Sequence, residues 1–344
     1  MSPKNLNVSN KTHKNLLNNL RDKRIFQIYK KFENNFNLNQ NFIVGVSGGS
    51  DSLALCFLTK IYSIKNSLNA YYFLVDHRLR QNSFTEAQSV KILLKKYNIR
   101  LDILNWYGKK PSSNIQSLAR KKRYNLLIRQ ANKLNIKNIL TGHHVDDLYE
   151  NFFIRISRGI GLKGLVSFSK KTQMDNINLL RPLINFEKEH LNYVTTKVFK
   201  SYIEDPSNED NKFKRVRIRK LIKNLQNDGL DKNKFLLTIK NLTDSNETIK
   251  FYVAKNLKDN SYIYKDISKI ILNEEFFNQP HEVTFRSLTE IIKFVGNKHY
   301  FVRGKKVDNI INKLKDGAGT TFKVTLGNCI IRKVKDSIIV AKEY

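Results

Sequence analysis

Two short stretches hold the residues whose types and spacing suit chemistry on a phosphate-bearing substrate. In Ser47-Gly48-Gly49-Ser50-Asp51-Ser52, Gly48 and Gly49 let backbone N–H groups approach a phosphate chain. Ser47, Ser50 and Ser52 add hydroxyls, and Asp51 offers a carboxylate to magnesium. A helix following the loop would add its unpaired N–H groups and positive dipole end. The loop lacks the Gly-Lys-Ser/Thr ending of a Walker A loop, so transfer of a γ-phosphate is not indicated. The second stretch is Gly142-His143-His144-Val145-Asp146-Asp147-Leu148-Tyr149-Glu150. Read as helical, it puts His143, Asp147 and Glu150 at i, i+4 and i+7, on one face. One imidazole and two carboxylates there suit a metal, an ammonium group or acid–base work. The blander alternatives are a Gly-rich turn with an acidic cap for the first stretch and a solvated helix start for the second.

The elements that must position these residues decide between the readings. Phe42 to Val46 reads as a buried strand, Asp51 to Lys65 as a helix, and Tyr71 to Val75 as a second strand ending at Asp76. Ser83 with Glu86 has the spacing of a capping box ahead of a helix carrying Val90, Leu93 and Leu94. Arg100 to Trp106 reads as a third strand, Ile115 to Leu134 as a helix and Asn138 to Leu140 as a fourth strand. Strands separated by helices of this length predict an α/β fold, a parallel doubly wound sheet with helices on both faces. Ligands of such sheets sit beyond the carboxyl ends of the strands. The loops starting at Ser47, Asp76 and Gly142 all fall there, which favours the functional readings. Beyond about Lys220 come helices near Arg286 to Val295 and Lys305 to Leu314, then β-rich runs at Thr321 to Thr325 and Cys329 to Val340. These predict a smaller C-terminal α+β domain. The expected division is a basic arm over 1–24, a catalytic domain over 25–219, and a helical linker with a small domain over 220–344.

The chain has 62 Lys and Arg against 30 Asp and Glu, a net charge of +32. Such an excess favours a polyanionic partner, because neutralising phosphates releases condensed counterions. Lys- and Asn-biased composition accounts for part of it but not for the shortage of acids. No run of apolar residues is long enough to span a bilayer, and Met1 to Arg21 has no apolar core of a secretory signal. Cys56 and Cys329 are isolated, so neither a disulfide framework nor a CxxC site is expected. A reducing, cytoplasmic compartment follows.

The hexapeptide at 47–52 resembles the SGGxDS signature of the PP-loop ATP pyrophosphatases, which split ATP between its α and β phosphates and share an adenine nucleotide alpha hydrolase-like fold. The segment from Gly142 resembles the GHHxDDxxET motif of the tRNA(Ile)-lysidine synthetases. Asp76-His77-Arg78-Leu79-Arg80 is similar to that family's DHxLR segment, and Ala119-Arg120 with Arg123-Tyr124 to its AR…RY helix. Arg158-Gly159-Ile160-Gly161, Arg181-Pro182-Leu183 and Asp205-Pro206-Ser207-Asn208 with the basic run Arg215 to Arg219 resemble further elements in the same order. The resemblance spans about Asn41 to Lys220. Asn151 stands where Thr is usual, and Val216 where Asn is usual.

The resemblance implies ATP and Mg2+ as cofactors, with Ser47, Gly48, Gly49, Ser50, Asp51, Ser52, Asp76 and His77 around the nucleotide and Asp51 on the metal. It implies adenylation of the wobble cytidine of tRNA(Ile) with a CAU anticodon, then attack by free lysine. Asp51, Arg123, His143, Asp147 and Glu150 are the implied catalytic residues, with Asp147 and Glu150 on lysine's α-ammonium group. Arg158, Arg181, Arg215, Arg217 and Arg219 are the implied tRNA contacts, and the family also allows a homodimer. Two other readings stand beside this one. Another PP-loop tRNA enzyme, such as a thiolase, would need suitably placed cysteines. A non-catalytic basic RNA-binding protein would have no use for both the loop and the acidic pair.

Overall fold

Near-continuous burial along the central strands marks a sheet covered on both faces. The computed structural model describes residues 11–108, 115–174, 176–204, 212, 214–264, 269–298, 302–316 and 322–343. Strands β1 (Phe42–Val46), β2 (Ala70–Asp76), β3 (Leu101–Asn105), β4 (Asn138–Thr141), β5 (Lys171–Met174) and β6 (Ile177–Leu180) form one sheet in the order β3-β2-β1-β4-β6-β5. All its pairings are parallel except β5 with β6. The first helices are α1 (Lys11–Asn18), α2 (Lys23–Asn35), α3 (Ser50–Lys65), α4 (Ser83–Lys95) and α5 (Ile115–Lys133). After β4 come α6 (Val145–Ile156), α7 (Leu162–Leu165), α8 (Lys188–Phe199) and α9 (Lys214–Asn227).

The period of two along a strand sends successive residues to opposite cores. Phe42, Val44 and Val46 meet α2, α3, α4 and α8, whereas Ile43 meets Leu127 and Ala131 of α5. Tyr72 and Leu74 likewise face the first core, Phe73 and Val75 the second. The parallel α/β fold expected from the strand–helix rhythm is therefore the one observed, with an antiparallel edge strand, β5, that the sequence pattern did not reveal. The strand order reverses between β1 and β4. That switch point opens a crevice above the carboxyl ends of both strands.

Three local expectations are corrected. The helix over 83–95 starts with Asn82 as its N-cap, without a side-chain cap, and Glu86 pairs with Arg80 at 3.0 Å, so the capping box does not form. The stretch 1–24 is helical from Lys11, and Leu16 is fully buried in the core, which contributes about 1.5–3 kcal/mol that a solvated arm would lack. A boundary after residue 219 would split α9, whose Val216, Ile218 and Ile222 are buried. The chain instead divides into units Met1–Asp231 and Lys232–Tyr344.

The second unit contains α10 (Lys232–Asn260), β7 (Ser261–Ile263), β8 (Lys269–Leu272), α11 (His281–Val295), α12 (Gly304–Lys315), β9 (Lys323–Leu326), β10 (Cys329–Val334) and β11 (Ser337–Lys342). Its strands form an antiparallel sheet ordered β7-β8-β11-β10-β9. Leu272, Ile331 and Val340 pack there with Leu288 and Ile292 of α11 and Val307 and Ile311 of α12, giving this unit a core of its own.

Candidate active site

The glycine-rich loop closes on itself through Ser52. Its Oγ accepts from the backbone N–H groups of Ser47 (3.2 Å) and Gly48 (3.1 Å), lies 3.1 Å from Ser47 Oγ, and donates to Gly49 O at 2.9 Å. Ser52 thus shapes the cradle from within. Gly48 has φ +86°, and a Cβ there would fall 2.7 Å from Val90 Cγ2, so this turn needs glycine. Gly49 is the N-cap of α3, and the N-terminal end of that helix faces the crevice. Ser50, expected to add a hydroxyl, is buried, and its carbonyl accepts from Thr195 of α8 at 2.7 Å.

The loop after β4 lies directly beside this cradle. A Cβ on Gly142 would fall 3.1 Å from the Asp51 and Ser52 backbones, a tight contact that a glycine avoids where the two loops meet. His143 is not on the helical face assigned to it. The side chain of His144 accepts from Asp146 N–H at 3.3 Å while Asp147 Oδ2 accepts from His144 N–H at 3.0 Å. This reciprocal cap starts α6 at Val145 and leaves His143 in the loop. Asp147 and Glu150, three apart, remain on one face.

His144 joins the two halves of the site. Its Nδ1 accepts a backbone N–H, and its Nε2 lies 3.6 Å from Asp51 Oδ2 and 3.8 Å from Asp147 Oδ2. Asp51 is also held by Lys188 Nζ, 2.9 Å from Oδ1 and 2.8 Å from Oδ2. Neither His144 nor Lys188 was singled out from sequence. Lys188 lies 137 residues from Asp51 along the chain, and no local pattern joins them.

Burial pushes the Asp147 carboxyl up, but His144, His143, the His144 amide and Arg215 outweigh it and hold the group below its ordinary range. Burial also dominates at His143, pulling its imidazole down to about 3 against the pull of Asp147, with Arg120, Arg181 and Arg215 adding to the fall. Its ring contacts Thr141 Oγ1 at 2.8 Å and Arg120 at 3.4 Å. Burial raises the Glu150 carboxyl above its usual value, although Arg219 opposes this through a short ion pair to Oε1. Glu150 is 2% exposed, and its Oε2 is buried without a hydrogen-bond partner.

At the end of β2, Asp76 is buried. Its Oδ1 accepts from Arg78 N–H at 2.9 Å, and its Oδ2 has no partner. An orphaned oxygen at a strand end is an acceptor that a ligand's O–H or N–H would satisfy. Arg123 donates to His77 Nε2 at 3.3 Å, and burial followed by the charge of Arg123 lowers that imidazole to about 4, against Asp76.

The arginines expected at RNA fall into different settings. Arg158 and Arg217 are exposed. Arg215 is half-buried and acts electrostatically on Asp147. Arg219 pairs with Glu150, tying α9 to α6. Arg181 is 4% exposed, donates to Ser169 O at 2.7 Å and Thr172 Oγ1 at 2.8 Å, and stacks on Phe168 at 4.4 Å. It holds the β5 edge strand in place. Asp205-Pro206-Ser207-Asn208 lies outside the described residues.

Among the described residues no three His, Cys, Asp and Glu side chains converge as a metal cage. One carboxylate beside a phosphate cradle nevertheless suits Mg2+, which keeps several waters and takes further ligands from substrate phosphates. The residues present fit such a metal when it arrives with a nucleotide.

Sheet order, cradle and crevice together define a PP-loop protein, and residues 19–225 match the PP-loop domain family. The tRNA(Ile)-lysidine synthase of Wolbachia pipientis wMel is 33% identical over 315 residues, spanning 89% of this chain and 71% of that relative. The protein of the same name from Orientia tsutsugamushi (strain Boryong) is 33% identical over 320 residues, 90% of this chain and 71% of the relative. The chain belongs to the tRNA(Ile)-lysidine synthase family. A solved structure, the U34-tRNA thiolase NcsA from Methanococcus maripaludis with its 4Fe–4S cluster, covers 64% of this chain and 79% of its own with a TM-score of 0.56. At 16% identity this is a likeness of fold alone.

Proposed function

We propose that the protein attaches lysine to the wobble cytidine of tRNA(Ile) with a CAU anticodon, using ATP. Family membership supports the substrate class. The observation that carries the chemistry is the convergence of Asp51 and Asp147 on His144, which sets a nucleotide cradle beside a carboxylate face. The cytosine O2 attacks the α-phosphorus, the bond to the β-phosphate breaks, and its electron pair leaves with pyrophosphate. The ε-amine of lysine then attacks C2, and AMP departs with the former O2. Bound at Asp51, Mg2+ would neutralise charge on the phosphates.

The protein's own groups divide this work. The backbone N–H groups at the N-terminus of α3, from Gly49 to Asp51, hold phosphate oxygens, while those of Ser47 and Gly48 keep the loop closed on Ser52. Asp147, kept ionised, and the unpartnered Oε2 of Glu150 bind the α-ammonium group of lysine. A carboxylate there also accepts a proton from the ε-amine before attack. Arg120 and Arg123, with the neutral rings of His143 and His77, line the approach of the base and contribute charge without competing as acids. Unit 1–231 carries the chemistry, and basic residues of both units, including Lys212 to Lys223, Arg303, Lys305 and Lys306, hold tRNA. The proposal places the protein in the cytoplasm, where tRNA, ATP and lysine are available, and leaves room for a homodimer. Sulfur transfer fits less well. Cys56 is fully buried with its thiol pushed up by burial, and burial raises Cys329 to about 11, so neither offers an accessible thiolate.

The test is incorporation of labelled lysine into a tRNA(Ile) transcript with a CAU anticodon, with and without ATP, beside a transcript carrying U at the target position. ATP-dependent label on the first transcript alone is expected. AMP and pyrophosphate formed with tRNA, but no label, would move the protein to a different base modification.

A further inference from the structure

The Lys188–Asp51 pair is not explained by the stability of either helix. Lys188 is the first residue of α8, where the helix dipole disfavours a cation. Its ammonium is nearly equidistant from both oxygens of Asp51, at 2.9 and 2.8 Å. Both oxygens that Asp51 would offer to a metal ion are thus engaged by the ammonium. The anchoring of α8 is independent of this contact. Leu191, Val194 and Val198 are in the core shared with α3, and Thr195 Oγ1 donates to Ser50 O at 2.7 Å. The packing therefore delivers the Lys188 side chain to the mouth of the cradle, where 43% of it stays exposed on a flexible stem.

We propose that Lys188 is a phosphate-binding residue of this site, resting on Asp51 in the free protein and passing to the β-phosphate of the nucleotide when magnesium and ATP enter. This rests on the reading that the 47–52 loop takes ATP. A metal ion bound to either oxygen of Asp51 would compete with an ammonium that spans both. The arriving polyanion gives the displaced ammonium its new partner within reach of the same stem. In the free protein the pair keeps Asp51 from standing as an uncompensated charge beside Asp147 and His144. In the complex the same cation neutralises the pyrophosphate as it departs. A lysine suits this exchange because its ammonium is a compact charge with rotatable donors, whereas a guanidinium would hold the carboxylate in a fixed fork.

The experiment measures equilibrium binding of ATP, pyrophosphate and AMP to the full chain, wild type against Lys188→Met and Lys188→Arg, with Mn2+ binding followed by electron paramagnetic resonance. Lys188→Met should weaken ATP and pyrophosphate about tenfold or more, the scale of one charge-assisted hydrogen bond, and AMP far less. Lys188→Arg should recover part of the loss. Without nucleotide, Mn2+ should bind Lys188→Met more tightly than wild type, because Asp51 is released. Unchanged ATP and pyrophosphate affinity in Lys188→Met, or an equal loss for AMP, would overturn the inference while leaving the ATP site intact. Wild-type protein that binds neither ATP nor pyrophosphate would overturn the ATP reading and this inference with it. Should Lys188→Met not fold, Lys188→Gln carries the same comparison.

Discussion

Asp51 and Asp147 share His144 as a neighbour, and under the proposed function their variants should separate the two half-reactions. Asp51→Ala should lower tRNA-dependent pyrophosphate release by about a hundredfold or more, the scale of losing a principal electrostatic contact, and near-normal release would remove it from the nucleotide site. Asp147→Ala should raise the lysine concentration needed for half-maximal labelling while ATP-dependent activation is largely kept. Equal loss of both would count against its contact with lysine. His143 makes a pH prediction. Its imidazole falls from 6.5 to about 3 on folding, so the folded chain binds fewer protons than the unfolded one. Stability is full above pH 6.5 and is lost as pH falls towards 3, by about 2 kcal/mol at pH 5. The urea midpoint of wild type should drop between pH 7 and pH 5, and that of His143→Asn should drop less. Parallel curves for the two proteins would show that this ring is not protected from protonation.

At the scale of elements, the site is made by two turns and by the helix that clamps them. The cradle needs the left-handed backbone at Gly48 and space beside Val90, so Gly48→Ala should cost about 1–3 kcal/mol in denaturant unfolding. It should also weaken nucleotide binding, because the loop can no longer close on Ser52. Ordinary stability with intact ATP binding would mean that Val90 and the loop give way freely. The reciprocal cap between His144 and Asp147 shows why the face read from residue spacing was only partly right. A spacing of four and seven assumes that a helix is already running at His143, but the cap begins it two residues later. The Ser83 and Glu86 pair failed for a related reason, since Arg80, outside the helix, takes the carboxylate at 3.0 Å.

The whole molecule carries its charge in both units, against a net +32. Its affinity for tRNA should therefore fall steeply with salt. With several phosphates neutralised, binding measured by filter retention should weaken at least tenfold between 50 and 200 mM salt. A flat dependence would mean that the excess of Lys and Arg reflects composition and not a polyanion-binding surface. Among the described residues no helix is long and apolar enough to cross a membrane.

The sequence by itself determined the parallel sheet, the loop positions at its carboxyl edge and the identity of most residues now found there. Each is encoded locally: apolar periods of two and near four, glycines where the backbone must turn, and acids at a helix start. What tertiary structure alone decided is which of them meet. His144 and not His143 stands between Asp51 and Asp147, Arg219 is spent on Glu150, and Arg181 is buried beneath Phe168. Lys188 reaches Asp51 only because α8 returns to pack on α3, a contact across 137 residues. Pairings of that kind follow from the packing of whole elements, on which the spacing of neighbours along the chain has no bearing.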